Sequence, residues 1–184
     1  VSTLGDLVDS ISTLALTRLS GSPRPASAGV VTGQAGPGIL LTDRLQTLGI
    51  SVPLLSAHAV ERLENLLPAL THRQNPVDTG RPGPNFDQVV STVGEDPAID
   101  AVAVYVLLEP AALNLVSSLA KAANEINKPL VASTNGLLNE IVEVRDQLRD
   151  HGVALFVNPE RAARGVWALF EDRRAAHLRQ SARF

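Results

Sequence analysis

The chain has 184 residues, 45% of them hydrophobic, so it can bury one sizeable core and one small appendage. The net charge of −3 argues against nucleic acid or an anionic membrane as partner, and no apolar run approaches the ~20 residues that span a bilayer. The absence of cysteine excludes disulfides and thiolate chemistry and favours a reducing, cytoplasmic location. Because the chain begins with valine and contains no methionine, we expect it to be a piece of a longer protein.

The chain opens with an amphipathic segment and a linker. Over residues 3–19 apolar residues recur at helical spacing, which predicts a helix with Leu4, Leu7, Ile11 and Leu14 facing inward. The following stretch, SGSPRPAS at 20–27, is rich in serine and proline and predicts a linker. We therefore expect a helical lead-in over 1–27, a main domain over 28–176 and a tail over 177–184.

Short apolar runs alternate with helical patterns through the rest of the chain. The runs predict buried parallel strands at 28–32, 50–55, 101–108, 129–134 and 153–157. The helical patterns lie at 37–48, 57–67, 86–93, 112–126, 137–150 and 159–176. Gly49 ends the first of these helices, and Asn158 caps the last, with Pro159 at its first position. This alternation predicts a three-layer, doubly wound α/β fold with a mainly parallel five-stranded sheet of the flavodoxin-like kind.

One segment falls outside the alternation. RQNPVDTGRPGPN, at 73–85, holds three prolines and two glycines, so it cannot form a helix or a central strand. A loop of this length inside a compact domain is usually functional or mobile.

A glycine-rich loop follows the first predicted strand. After Thr32 the six residues are Gly33, Gln34, Ala35, Gly36, Pro37 and Gly38. With Pro37 at the first helical position, the loop presents unpaired amides and the positive end of a helix dipole, which predicts a phosphate-binding site. A second interpretation is a tight turn in which the glycines only let the helix approach the strand.

The better-known nucleotide loops fit poorly. No lysine followed by serine or threonine is present as in a Walker loop, and no acidic residue ends the second predicted strand to hold a ribose. With one tryptophan and one tyrosine, stacking a flavin is also disfavoured. We therefore expect no tightly bound cofactor, and no histidine pair has the spacing of a helical metal site.

Four blocks of sequence carry a resemblance. They are TGQAGPGILLTDRLQTLGISVPLLS from residue 32, NPVDTG at 75–80, EDPAIDAVAVYV at 95–106 and NKPLVAS at 127–133. Together they resemble the ADP-forming acyl-CoA synthetases, which are related to succinyl-CoA synthetase, over roughly residues 26–172. The resemblance implies a flavodoxin-like domain that follows a CoA-binding domain and a domain carrying a phosphorylated histidine.

The resemblance also implies a mechanism and partners. In this family acyl-CoA and phosphate give an acyl phosphate, the phosphate passes to a histidine and then to ADP, and the phosphohistidine loop rests between two helix N-termini. The helix that begins near residues 36–38 is similar to one of those two. CoA and ADP or ATP are thus implied for the full enzyme, together with an ATP-grasp domain or subunit and an oligomeric assembly.

The chain itself lacks the phosphorylated histidine of that family. None of its four histidines matches the family position, so no catalytic residue is assigned here, and we expect the isolated chain to be inactive. Ala35 stands where the family usually has a glycine. If that position needs a positive φ, alanine costs about 1–2 kcal/mol there. A non-catalytic binding or assembly module with the same fold is the alternative function.

Further side chains are predicted around the crevice at the carboxyl ends of the strands. In a flavodoxin-like sheet the loop GQAGPG meets the loops LLEPAA and STNG there. The crevice candidates are Asn75, Asp78, Glu109, Ser133, Asn135 and Gly136. Asp78 has a second interpretation as the cap of the following turn.

Overall fold

The computed structural model describes residues 1, 3–21, 24–109 and 111–181. Within these residues the helices are α1 (Leu4–Leu14), α2 (Ala35–Thr47), α3 (Ala57–Leu66), α4 (Phe86–Glu95), α5 (Leu115–Glu125), α6 (Leu138–Arg149) and α7 (Pro159–Ser181). The strands are β1 (Ala28–Thr32), β2 (Val77–Asp78), β3 (Ala101–Tyr105), β4 (Leu130–Ser133) and β5 (Ala154–Phe156). None of the described helices is both long and apolar enough to cross a membrane.

The strands form one parallel sheet in the order β2-β1-β3-β4-β5. This is the flavodoxin-like order, so the predicted fold class is confirmed. β1 and β3 are aligned over their whole length, from Ala28 opposite Ala101 to Thr32 opposite Tyr105. The carboxyl ends of the two central strands therefore lie side by side.

Two apolar layers cover the sheet, because successive side chains of a strand point to opposite faces. Val31 packs in the layer that includes residues of α3, α4, α5 and α6. Its neighbour Val30 packs in the other layer, against Leu41 and Leu45 of α2 and Leu169 of α7. The helices thus enclose the sheet from both sides, as the alternation of elements predicts.

The predicted strand at 50–55 is wrong. Only Ser51 pairs there, in an isolated bridge to Ser27, and the second strand along the chain is instead β2. Pro53 interrupts the run and has no amide to give to a ladder. β2 falls inside the segment predicted to be a loop, but it has two residues and lies at the sheet edge, where neighbouring prolines are tolerated.

The predicted orientation of α1 is also wrong. Leu4, Leu7 and Ile11 are 77%, 42% and 58% exposed, and only Leu14 of the expected inward set packs against the core. The helix instead turns its polar side toward α7, where Asp9 forms an ion pair with Arg161. The helix also ends at Leu14 rather than at residue 19.

Gly165 of α7 explains how the polar side of α1 approaches so closely. A Cβ at Gly165 would lie 2.6 Å from Oγ1 of the buried Thr13. A second ion pair joins Asp6 to Arg164 at 3.1 Å. Charge pairing and a small residue, rather than apolar burial, thus place α1 on α7.

Most other helix boundaries agree with the prediction to within three residues. Gly49 follows α2 with a φ of 78°, and the amide of Arg161 donates to Oδ1 of Asn158 at 2.9 Å, which confirms the cap of α7. α7 is longer than predicted, since it continues to Ser181. The last three residues of the predicted tail, 182–184, lie outside the described residues.

Two glycines of α2 provide a matched test of its packing on β1. A Cβ at Gly38 would lie 2.5 Å from Cγ2 of Thr32, whereas a Cβ at Gly36 would meet nothing within 4 Å. We predict that Gly38→Ala lowers the free energy of unfolding by about 1–3 kcal/mol through overpacking. Gly36→Ala should change it by less than about 0.5 kcal/mol, because the gain from replacing a helical glycine is offset by Pro37, which disfavours a helical backbone in a preceding residue with a Cβ. Urea unfolding followed by circular dichroism would measure both, and equal stability of the two variants would contradict this packing.

Candidate functional site

The loop between β1 and α2 is fixed by three kinds of contact. The amide of Gly33 donates to the carbonyl of Tyr105 at 2.8 Å, which carries the β1–β3 pairing one residue past the strand. The hydroxyl of Thr32 donates to the carbonyl of Gln34 at 2.6 Å and accepts from the Gln34 amide at 3.2 Å. A Cβ at Gly33 would lie 2.8 Å from Cγ of Pro82. The loop is therefore a tight turn against the 73–85 segment.

The start of α2 differs from the prediction by two residues. The helix begins at Ala35 with Gln34 as its cap residue, so Pro37 occupies the third helical position and not the first. Proline fits there because an amide in the first turn has no partner within the helix. Gln34 makes no side-chain cap. No described residue accepts a hydrogen bond from the amides of Ala35 or Gly36, and both residues are exposed.

Ala35 lies in the helix without strain. No non-glycine residue among those described has a positive φ, so alanine meets none of the cost that a left-handed conformation would impose. The condition under which Ala35 would disturb the loop is thus not met.

Gly36 differs from its two glycine neighbours. Gly33 and Gly38 are required by close contacts with Pro82 and Thr32, but a Cβ at Gly36 would meet nothing within 4 Å beyond its chain neighbours, and its φ is not positive. A glycine inside a helix costs about 0.5–1 kcal/mol relative to alanine. Packing therefore accounts for Gly33 and Gly38, whereas Gly36 fits a helical backbone directly before Pro37, which disfavours that conformation in residues with a Cβ. The missing side chain at Gly36 also leaves the first backbone amides of α2 open to approach.

A cavity of about 390 Å³ lies beside this turn, at the carboxyl edge of the sheet. Gly33, Gln34, Arg81 and Glu109 are among its lining residues. Nη2 of Arg81 lies 3.0 Å from Oε2 of Glu109, and the two side chains are 75% and 42% exposed. An ion pair this exposed contributes little stability, so an anion can compete for the guanidinium at low cost.

Sequence reasoning missed Arg81. The prediction considered cations only within the stretch around the glycine loop, and Arg81 is separated from it by more than forty residues. The feature of the sequence that could have identified Arg81 was its position in the long Pro/Gly segment, directly after NPVDTG. Because β2 pairs with β1, that segment returns to the same edge of the sheet.

Asn75 supports the sheet and does not reach this cavity. Its Oδ1 accepts from the amide of Val30 at 2.8 Å, and its Nδ2 donates to the carbonyls of Ala28 and Pro53 at 2.9 Å each. β2 pairs only with Val31 and Thr32, so the buried Asn75 side chain serves the outer side of β1 where β2 does not reach. The bond between Asn75 and Pro76 is cis.

Asp78 caps the turn that follows it. Its Oδ1 accepts from the amide of Gly80 at 2.9 Å, and Gly80 has a φ of 61°. This is the second of the two roles considered for Asp78.

The STNG loop lies at the same edge of the sheet but does not line the cavity. The buried Ser133 hydroxyl donates to the carbonyl of Val104 at 3.2 Å, and the Asn135 carbonyl accepts from the amide of Leu108 at 2.9 Å. A Cβ at Gly136 would lie 3.0 Å from Cβ of Leu108, so Gly136 packs closely against that side chain. Of the three predicted loops, the structure brings together GQAGPG and LLEPAA at the cavity.

The described residues contain no group of three or more acidic or histidine side chains that could hold a metal ion.

Comparison with known proteins identifies the domain. The model of the Ligase-CoA domain matches residues 28–179, which is most of the chain. The chain belongs to the Ligase-CoA domain family. The resemblance found in the four sequence blocks is thereby confirmed.

Curated relatives of this Ligase-CoA domain are acetate–CoA ligases. The chain is 22% identical over 179 residues to the alpha subunit of an ADP-forming acetate–CoA ligase II of Pyrococcus furiosus, covering 92% of this chain and 38% of that protein. It is 27% identical over 143 residues to an ADP-forming acetate–CoA ligase I of Archaeoglobus fulgidus, covering 76% of this chain and 20% of that protein. The chain thus spans well under half the length of either relative.

Solved structures agree on the fold. A dinucleotide-forming acetyl-coenzyme A synthetase 1 of Korarchaeum cryptofilum, in its apo form, matches with a TM-score of 0.83 at 19% identity. The match covers 98% of this chain and 40% of that one. The same protein in complex with phosphate and ADP also has a TM-score of 0.83, at 20% identity.

The open start of α2 leads to a prediction about phosphate. We expect inorganic phosphate to perturb the amide resonances of residues 33–40 with millimolar affinity, because an exposed helix end contributes about 0.3–1 kcal/mol to binding an anion. Gly36→Val should abolish the perturbation, both by covering the amides and by straining the first turn of α2 before Pro37, while the rest of the fold is kept because no other element lies within 4 Å of the new Cβ. Arg81→Ala should weaken it.

The control for Arg81→Ala is Arg62→Ala, which breaks the exposed Arg62–Glu95 pair and should leave phosphate binding unchanged. A phosphate titration followed by heteronuclear NMR would measure binding by the unaltered chain and by the three variants. Absence of any response over residues 33–40 at high phosphate would leave the glycine loop as a turn only.

Proposed function

We propose that this Ligase-CoA domain is a module of an ADP-forming acyl-CoA synthetase, which converts acyl-CoA, ADP and phosphate into the acid, CoA and ATP. In this proposal the start of α2 stabilises a phosphohistidine carried by another domain. The observation that carries the proposal is the pair of exposed, unpaired amides at Ala35 and Gly36, beside the cavity that Arg81 lines. The relatives named above are ADP-forming acetate–CoA ligases, which supports the reaction class.

The amides of α2 suit a transferred phosphoryl group. They point out of a 13-residue helix, so the helix dipole adds to their partial positive charge. The turn holds them in place before a phosphate arrives, and preorganised donors need no rearrangement when charge develops. A phosphohistidine loop closing over the site would exclude water and strengthen the interaction beyond its value at an exposed helix end.

The other parts of the reaction are assigned outside the chain. The phosphorylated histidine, the CoA site and the ATP-grasp domain or subunit that takes ADP belong to partner domains, and no residue of this chain acts as a nucleophile. The same proposal includes oligomeric assembly and a cytoplasmic location. It also divides the chain into a lead-in over 1–27, a main domain over 28–176 and a tail over 177–184. The isolated chain accordingly has no turnover of its own.

A second candidate function is a non-catalytic assembly module with the same fold. The exposed apolar side chains of α1 favour it, since Leu4 and Ile11 are more than half exposed while the polar side of the helix packs on α7. The two functions differ in what the glycine loop recognises. An assembly module needs α1 and makes no use of the amides of Ala35 and Gly36.

A peptide carrying a stable phosphohistidine analogue distinguishes the two functions. We predict that it shifts the amide resonances of Ala35 and Gly36, whereas the same peptide without the phosphate does not. Gly36→Val should remove the response, while Gly36→Ala, with a smaller side chain in the same open space, should retain most of it. If the two peptides act alike, or if Gly36→Val responds like the unaltered chain, the phosphohistidine role is wrong.

A further inference from the structure

A second polar cavity lies at the opposite edge of the sheet. It measures about 460 Å³ and lies where β3 and β4 begin, between the segment after α1 and the middle of α7. Four cationic side chains line it: Arg18, Arg24, Lys128 and Arg173. Asp100 is the one carboxylate among the described lining residues. Arg18 also pairs with Asp172 at 2.6 Å, so the four cations face two carboxylates, which leaves a local excess of positive charge.

Arg173 is the buried member of this set. Its side chain is 6% exposed and its guanidinium lies over the ring of Phe170, 5.1 Å from the centroid. Nη2 donates to the carbonyl of Arg24 at 3.1 Å and to Oδ2 of Asp100 at 3.4 Å. Nε and Nη1 have no acceptor among the described residues, although the side chain lines the cavity. Neither nitrogen is among the described side-chain atoms that are shut off from solvent without a partner, so these donors face the cavity and are open to water or to an anion that enters it.

Asp100 does not balance the charge of the cavity. It is shared between Arg173 and Arg24, and among the described residues Arg24 otherwise reaches only the carbonyls of Pro97 and Ile99, at 3.4 Å each. One carboxylate thus serves two guanidinium groups. The forked geometry of arginine suits phosphate oxygens, which two such groups could bind together.

Lys128 adds a third cation. Its Nζ donates to the carbonyl of Asp96 at 2.7 Å, so a neutral group occupies one of its three donors. Burial, followed by repulsion from Arg24, lowers the pKa of Lys128, while Asp96 and Asp100 oppose the change. Repulsion between these two cations is what a bound anion would relieve.

We propose that this cavity, the amino-edge cavity, is a binding site for a small phosphate-bearing anion, held by Arg18, Arg24, Lys128 and Arg173. It lies at the far edge of the sheet from the start of α2 and does not depend on the function proposed for that helix. Since Arg18 precedes the linker, Arg24 lies within it and Lys128 precedes β4, a bound phosphate would join the linker to the sheet.

Pyrophosphate is the probe for this proposal. We expect it to perturb the amide resonances of residues 18–21 and Lys128, and higher ionic strength to weaken its binding. Lys128→Gln and Arg18→Gln should each reduce the affinity about two- to fivefold, the effect of losing one partly exposed ionic contact. Both side chains are partly exposed, and Arg18→Gln breaks a partly exposed pair with Asp172 that contributes little stability, so neither change threatens the fold.

The sequence offers a matched control, because Lys121 is its one other lysine. Lys121 pairs with Asp87 and does not line the cavity, so Lys121→Gln should bind pyrophosphate as the unaltered chain does. Gly36→Val should also leave this affinity unchanged, which separates the amino-edge cavity from the site at α2. The proposal is overturned if residues 18–21 and Lys128 show no perturbation. Equal loss of affinity in Lys121→Gln and Lys128→Gln would overturn it as well.

Discussion

The close approach of α2 to the end of β1 is the constraint on which the candidate site depends. Gly38 faces the side chain of Thr32 with no room for a Cβ, and Gly33 is confined in the same way by Pro82. These contacts hold the first turn of α2 directly above the central strands, where its unpaired amides face the carboxyl edge of the sheet. The two interpretations of the glycine loop are therefore compatible, since the tight turn is what holds the amides in place.

β1 needs support on its outer side to hold that position. The strand beside it has two residues, and the buried Asn75 side chain supplies hydrogen bonds to the part of β1 beyond them. The same segment continues through the turn capped by Asp78 to Pro82 and Arg81, which reach the cavity. The NPVDTGRP stretch thus supports the sheet at one end and lines the site at the other.

The sequence predicted the fold class, the helices and four of the five strands, because the helices have a clear apolar period and these strands are continuous apolar runs. It could not predict β2, whose two residues are too few for any period. It also assigned the wrong face of α1 to the interior. Periodicity marks the apolar side of a helix, whereas here Asp9 and Thr13 pack on α7 through an ion pair and the space left by Gly165. Pairing between segments distant in sequence brought Arg81 to the site, and no local pattern reports such pairing.

The central claim is that the start of α2 is an anion site. Soaking crystals of the chain in selenate and measuring anomalous scattering would test it directly, because selenium marks the position of an anion that resembles phosphate. The claim predicts an anomalous peak within hydrogen-bond distance of the amide nitrogens of Ala35 and Gly36, with the Arg81 guanidinium turned toward it. Crystals that leave this surface open to solvent and show selenate elsewhere, but none at these amides, would contradict it.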